Sequence, residues 1–344
     1  MAGAEDVSLP EPCSGAEKEG DKRKVCFIHS QALLVSSDLN PRYTGRAQLV
    51  YSLIEAYGLL QHMRVVAPEK ATQKQLQGFH SQEYIHFLET HSNQSDLEDE
   101  DEETAEEMGL GYDCPLFTGC YDYACEVGGA GLTSADLLLR EEAEIVINWS
   151  GDGTTQKGWS PLDCTEPLAL CVGRDVASGY CYCNDVVLAI LRLQRRFSRI
   201  LYVDIDVHHG DGVEEAFWHS PKVMTVSFHH FSPGFYPGTG AVADIGRGRG
   251  KFHSINVPLH EGVQDHQYYL VFSGVMTEVR ERYQPQCLLL QCGADLLTGD
   301  PLGEFNLTPR GAGRCVEFLL QWRLPTVMMG GVCQQVMLTK GLLL

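Results

Sequence analysis

Positive charge is scarce in this chain. Against 46 Asp and Glu there are 26 Lys and Arg, a net charge of −20 over 344 residues. That balance argues against a surface built for nucleic acid. It suits a basic peptide partner such as a histone tail, and equally it serves plain solubility. No apolar run reaches the roughly 18 residues that a membrane-spanning helix needs, so no membrane association is expected. Met1 to Gly20 is polar and acidic, without the apolar centre of a signal peptide. The 13 Cys are odd in number and none forms C-x-x-C. Reduced core thiols in an intracellular compartment are therefore expected rather than a disulfide framework. No internal repeat is found. Two residue types are missing locally: no His lies between His91 and His208, and no Tyr follows Tyr283.

What is there is globular. Hydrophobic residues make up 44 %, with 35 Gly and 15 Pro, and the length suffices for one large α/β domain or two smaller ones. Residues 1–23 read as a disordered leader and 24–344 as one domain, interrupted at 152–174. Arg46 to Leu60 reads as a helix from the spacing of Val50, Leu53, Ile54 and Tyr57. The acid run within Ser95 to Glu107 reads as a solvated loop. Gly128 to Leu139 reads as helical, and Asn184-Asp185 as the cap of a helix over Val186 to Phe197. Strands are expected at Glu144–Trp149, Ile200–Asp204, Val223–Phe228, Ser254–Val257, Cys287–Gln291 and Thr326–Met329. Strands alternating with helices predict an α/β fold: a central, mostly parallel sheet with helices on both faces.

The most informative segment is Tyr202-Val-Asp204-Ile-Asp206-Val-His208-His209-Gly-Asp211-Gly. It follows a β-branched run, so its acids fall at the carboxyl end of a strand, where open α/β sheets place their sites. Spacing by two would put Asp204, Asp206 and His208 on one face of an extended strand. Asp oxygens with a His nitrogen suit Zn²⁺ with one open position. A second acid, Asp295, ends the apolar run in Gln291-Cys-Gly-Ala-Asp295, so two strand ends supply Asp206, His208 and Asp295. A short D-x-D-x-H is also compatible with an ordinary charged loop; the longer string is far more specific.

The segment Leu201 to Val213 resembles the metal motif of class I histone deacetylases. Gly109-Leu-Gly-Tyr-Asp-Cys-Pro115, Ala177-Ser-Gly-Tyr-Cys-Tyr182, Ser232-Pro-Gly-Phe-Tyr-Pro-Gly-Thr-Gly240 and Gly293-Ala-Asp295 match the same family in order. The match runs from about Leu34 to Gly331. The resemblance implies a single arginase/deacetylase-type domain. It implies a zinc-dependent hydrolase that converts N-acetyl-lysine to lysine and acetate, with zinc held by Asp206, His208 and Asp295. It further implies potassium near Asp204, Asp206, His208 and Ser227. Tyr180 and Tyr236 match walls of the acetyl-lysine tunnel, Gly179 a contact to the substrate amide, and Arg46 the lining of an exit channel for acetate. Acetylated histone tails or other acetyl-lysine proteins are the implied partners, in nucleus and cytoplasm.

Two stretches depart from the family. Where it carries a Gly-Trp-His-His segment, this chain reads Asp152-Gly-Thr-Thr-Gln-Lys-Gly-Trp159 and runs on without His to Arg174. Asp204 and Asp211 match the acids that orient that imidazole pair. After Gly331, where the family has a catalytic Tyr, the chain reads Val332-Cys-Gln-Gln-Val-Met-Leu. Asp99, Asp101 or a neighbouring Glu is the candidate for the family's substrate-clamping Asp. Three functions stand side by side: an active deacetylase, a catalytically impaired metal-binding form, and an arginase-type amidohydrolase. His208-His209-Gly210 and Pro233-Gly-Phe-Tyr-Pro237 favour the deacetylase branch over the last.

Overall fold

Short runs of Val, Ile and Leu make the strands. They are β1 Val25–Ile28, β2 Arg64–Val66, β3 Ile145–Asn148, β4 Ile200–Asp204, β5 Val223–His230, β6 Ser254–Leu259, β7 Cys287–Cys292 and β8 Thr326–Gly330. In this computed structural model the described residues are 23–42, 44–94, 98–111, 113–151 and 174–330. The strands form one sheet in the order β2-β1-β3-β8-β7-β4-β5-β6. Every pairing is parallel, so each connection must cross over, and helices come to lie on both faces. The helices are α1 Gln31–Leu39, α2 Arg46–Ala56, α3 Gln73–Leu76, α4 Gln82–His91, α5 Asp99–Glu107, α6 Cys120–Leu139, α7 Asp185–Leu193, α8 Asp211–Phe217, α9 Asp265–Tyr283 and α10 Pro309–Leu320.

Side-chain alternation along the central strands builds two cores. Ile200 and Tyr202 of β4, with Cys287 and Leu289 of β7, pack with α6 and α7 through residues such as Val127, Val187 and Ile190. Leu201 and Val203, with Leu288 and Leu290, point the other way onto Tyr268, Phe272 and Leu319 of α9 and α10. A period of two thus feeds both layers, which is why these strands read as unbroken apolar runs.

The expected strands in the second half are all present. The Asn184 cap is also observed: its side chain accepts from the Val187 amide at 2.9 Å, although α7 ends at Leu193 rather than Phe197. The helix expected over Arg46 to Leu60 stops at Ala56, because Gly58 turns with φ 68° and a 3-10 turn, Leu59–His62, follows. The acid run is not a loop where it is described. Asp99–Glu107 is helical, with Asp99, Glu100, Asp101 and Glu102 all in the first turn. Carboxylates there face the positive end of the helix dipole, Ala105 is buried, and Asp101 lies 3.5 Å from His91. The leader (residues 1–22) and the stretch Asp152 to Gly173 lie outside the described residues. Arg23 is tied into the fold, donating to the Leu320 and Leu324 carbonyls.

Candidate active site and metal centre

β4 ends at Asp204, and the next residues leave the sheet. Asp206 and His208 therefore do not share a strand face as the spacing predicted. Two successive side-chain turns shape the loop instead. Asp204 Oδ1 accepts from the Asp206 amide at 2.9 Å, and Asp206 Oδ1 accepts from the His208 amide at 2.9 Å. Each Asp caps the N–H two residues on, a habit of short acidic side chains in turns. The D-x-D-x-H spacing is thus a backbone device as well as a ligand pattern.

β7 lies beside β4 in parallel register, Asp204 opposite Gln291. The turn after it, Ala294–Leu296, carries Asp295 to the same spot. Asp295 Oδ1 accepts from the Val207 amide at 3.1 Å, and Oδ2 lies 2.9 Å from His208 Nδ1. One ligand atom each from Asp206, His208 and Asp295 falls within 4.8 Å of the others, and all three residues are buried. The approach of the two loops demands glycine at 293: a Cβ there would lie 2.0 Å from Asp206 Oδ2. Two carboxylates and one imidazole converging this way fit a three-ligand catalytic zinc centre with an open position.

The electrostatics match that reading. Burial, then the neighbouring Asp206 charge, pushes the Asp204 carboxyl up to about 7. Burial, then Asp295, pushes Asp206 to about 7. Burial opposes charge on His208, yet its bonds to Asp206 and Asp295 hold it up at about 10. A crowded, buried anionic cluster with a proton on its imidazole is what a divalent cation would replace.

Asp204 stands apart from the triad. Its second oxygen takes the Tyr202 hydroxyl at 2.5 Å, so the carboxylate braces its own loop. Ser227 lies opposite it in β5, and Ser227 Oγ accepts from the Gly210 amide. Asp211 is buried at the first residue of α8. His209 reaches Thr239 Oγ1 at 2.8 Å and Glu214 at 3.4 Å. His229 and His230 are the last residues of β5 rather than following it. His229 is held between Ser227 and the Gly240 carbonyl, and burial pushes its pKa down to about 3.

Tyr236, one of the expected tunnel residues, lies against His208 beside Phe235. Phe235 stacks on the His208 ring at 5.3 Å and 9°, and Tyr236 stands edge-on at 6.2 Å. Ser178 Oγ lies 2.7 Å from the Tyr236 hydroxyl. Gly179 and Tyr180 follow at φ 62° and 69°. A non-glycine in that backbone region needs the surroundings to hold it, and such strain gathers at functional sites. The Gly179 amide donates to Asp113 Oδ2 at 2.7 Å, and Arg42 lies over the Tyr180 ring. Asp113, carried by the Gly109 to Pro115 motif, is a further acid beside this segment, while Asp99 and Asp101 sit on α5. Behind the triad lies a cavity of about 1060 Å³ whose walls include Arg46, Val50, Trp149 and Gly293. Arg46 is buried there, not on the surface.

Comparison with known proteins agrees with this geometry. A histone deacetylase domain model matches residues 40–332. Histone deacetylase 8 of Xenopus tropicalis is 48 % identical over 306 residues, covering 89 % of this chain and 78 % of that protein. Histone deacetylase 8 of Danio rerio is 43 % identical over 323 residues, covering 94 % and 80 %. Histone deacetylase 1 of Homo sapiens is 39 % identical over 324 residues, covering 92 % and 62 %.

Proposed function

The chain belongs to the class I histone deacetylase family, and we propose that its reaction is hydrolysis of N-acetyl-lysine in histone tails and other proteins to lysine and acetate. The observation that carries this is the buried Asp206, His208, Asp295 triad beneath the Phe235 and Tyr236 wall. The family's metal is zinc; when bound by these three residues it supplies Lewis-acid polarisation of the scissile carbonyl and activation of water.

The rest falls to the protein's own groups. Tyr180 and Tyr236 flank the methylene stem of the lysine, where aromatic faces exclude water. The Gly179 backbone meets the substrate amide. Asp113, fixed by the Gly179 amide, presents a carboxylate at the rim for the substrate's backbone N–H groups. Arg46 offers a cationic wall along which acetate leaves. Asp204, Asp206, His208 and Ser227 surround the position proposed for potassium. Among the described residues no helix is long and apolar enough to cross a membrane; nucleus and cytoplasm are the proposed locations.

A second reading, a metal-binding form with little turnover, is favoured by one specific observation. The imidazoles beside the triad are already engaged: His209 with Thr239 and Glu214, His229 with Ser227 and Gly240. General acid–base catalysis contributes roughly 10²–10⁴ in rate. If no group takes that role, kcat/KM should fall short of the frog relative's by at least about 10². Zinc content and hydrolysis of a fluorogenic acetyl-lysine peptide test both readings, with Asp206→Ala as the blank. About one zinc per chain and hydrolysis above the blank are expected. Folded protein with no zinc would overturn the site. Turnover equal to the relative's would dispose of the second reading.

A further inference from the structure

His230 lies outside the triad, yet it is one of the most constrained side chains near it. It is almost fully buried, and its amide donates to the Val207 carbonyl at 2.8 Å, between the ligands Asp206 and His208. Its Nε2 lies 2.8 Å from Ser232 Oγ and 3.0 Å from Glu304 Oε2. Its Nδ1 is buried with no hydrogen-bond partner. The proton therefore belongs on Nε2, which donates, since a buried donor left unpaired at Nδ1 would be costly. The ring meets Phe235 edge-on at 4.4 Å and 85°. Phe235 in turn lies flat on His208.

Glu304 belongs to the other ligand's segment. The chain passes so close to Asp295 there that a Cβ at Gly303 would sit 1.9 Å from the Asp295 carbonyl oxygen. The Glu304 carbonyl accepts from the Gly262 amide at 2.7 Å, which anchors its backbone. The His230–Glu304 contact thus ties the Asp295 segment to the loop that carries Phe235 and Tyr236.

We propose that His230 and Glu304 are positioning residues that hold Phe235 against His208 and thereby set how long an acyl group the site accepts. The proposal rests on the acyl-lysine reading above and names what selects within that class. A ring clamped on its outer edge and stacked on a ligand cannot swing aside, so the space beside the open metal position stays small. Freed of the clamp, Phe235 gains rotamers, and a longer chain gains room while acetyl loses its fitted wall.

The test is binding, which needs no turnover. The full chain with one equivalent of zinc is titrated calorimetrically with acetyl-lysine and butyryl-lysine versions of one peptide. Wild type should prefer acetyl. His230→Ala should lower that preference about tenfold and Glu304→Ala about threefold, the two together giving less than the product. His230→Gln, which keeps a donor, should restore most of it. Glu304→Ala alters a half-exposed side chain, so folding is not at issue there, and Glu304→Gln, which keeps an acceptor for His230 Nε2, should stay near wild type. Equal loss for both peptides, or no change in Glu304→Ala, would overturn the positioning role alone. Wild type that binds neither peptide would overturn it together with the acyl-lysine reading.

Discussion

Two acid-rich segments of this molecule have opposite fates. The end of β4 with the loop after it, and the turn after β7, bring Asp204, Asp206 and Asp295 inside, where each is buried. Helix α5 carries an even denser acid run, Asp99 to Glu107, and leaves most of it exposed. Density of charge did not decide this. In the first case neighbouring backbone amides and an imidazole receive the oxygens one by one. In the second the helix N-terminus and water receive them collectively. A cluster of acids is a site when partners are built around each oxygen, and a solvated face when they are not.

The contrast is sharpest at Asp206. Asp206→Ala should weaken zinc binding by more than about 100-fold, since loss of a mere supporting partner already costs 10–100-fold. Zinc content after dialysis, read beside circular dichroism, checks it. Metal retained at full occupancy would mean the ligands lie elsewhere.

A smaller effect separates the segments by pH. In the metal-free chain Asp204 and Asp206 titrate near 7, above the unfolded value of about 3.9. A carboxyl whose pKa is raised on folding contributes stability that is fully present below its unfolded pKa and is lost as pH rises through the folded one. His208, raised to about 10, acts in the same direction at higher pH. Melting of the metal-free chain should therefore drop progressively from about pH 4 to 7 through the two carboxyls and on toward about pH 10 through His208, and zinc should remove most of the drop. A melt that is flat over this range without metal would show that the cluster is not as buried as described.

The smallest effect is expected on α5. Asp99→Asn with Glu102→Gln should change stability by no more than about 0.5 kcal/mol, as at ordinary surface positions, and should leave zinc binding unaltered. A large loss of peptide affinity there would mean that these acids, rather than Asp113, contact the substrate.

Periodicity and motif together made much of this legible. The runs that became β4, β5 and β7 are apolar, the first two with β-branched residues, and the loop after β4 carries the metal string, so the triad was readable as three residues at two strand ends. The short strands β1 and β2 were not readable. Val25–Ile28 and Arg64–Val66 offer too few residues for a period to show, and β2 is largely exposed. The acid helix was misread because mutual repulsion is visible in a string of carboxylates, whereas the helix dipole and the packing of Ala105 are not.

By itself the chain's order determined the family, the parallel α/β plan and the three residues that form the candidate metal site. Each of these depends on residue type and on spacing within a few positions. Tertiary structure alone decided that Asp204 braces its own loop through Tyr202. It alone set Asp113 against Gly179, 66 positions away, and His230 against Glu304. Such pairs form because parallel strands place their carboxyl ends side by side whatever the length of chain between them, and no local pattern records which ends those will be.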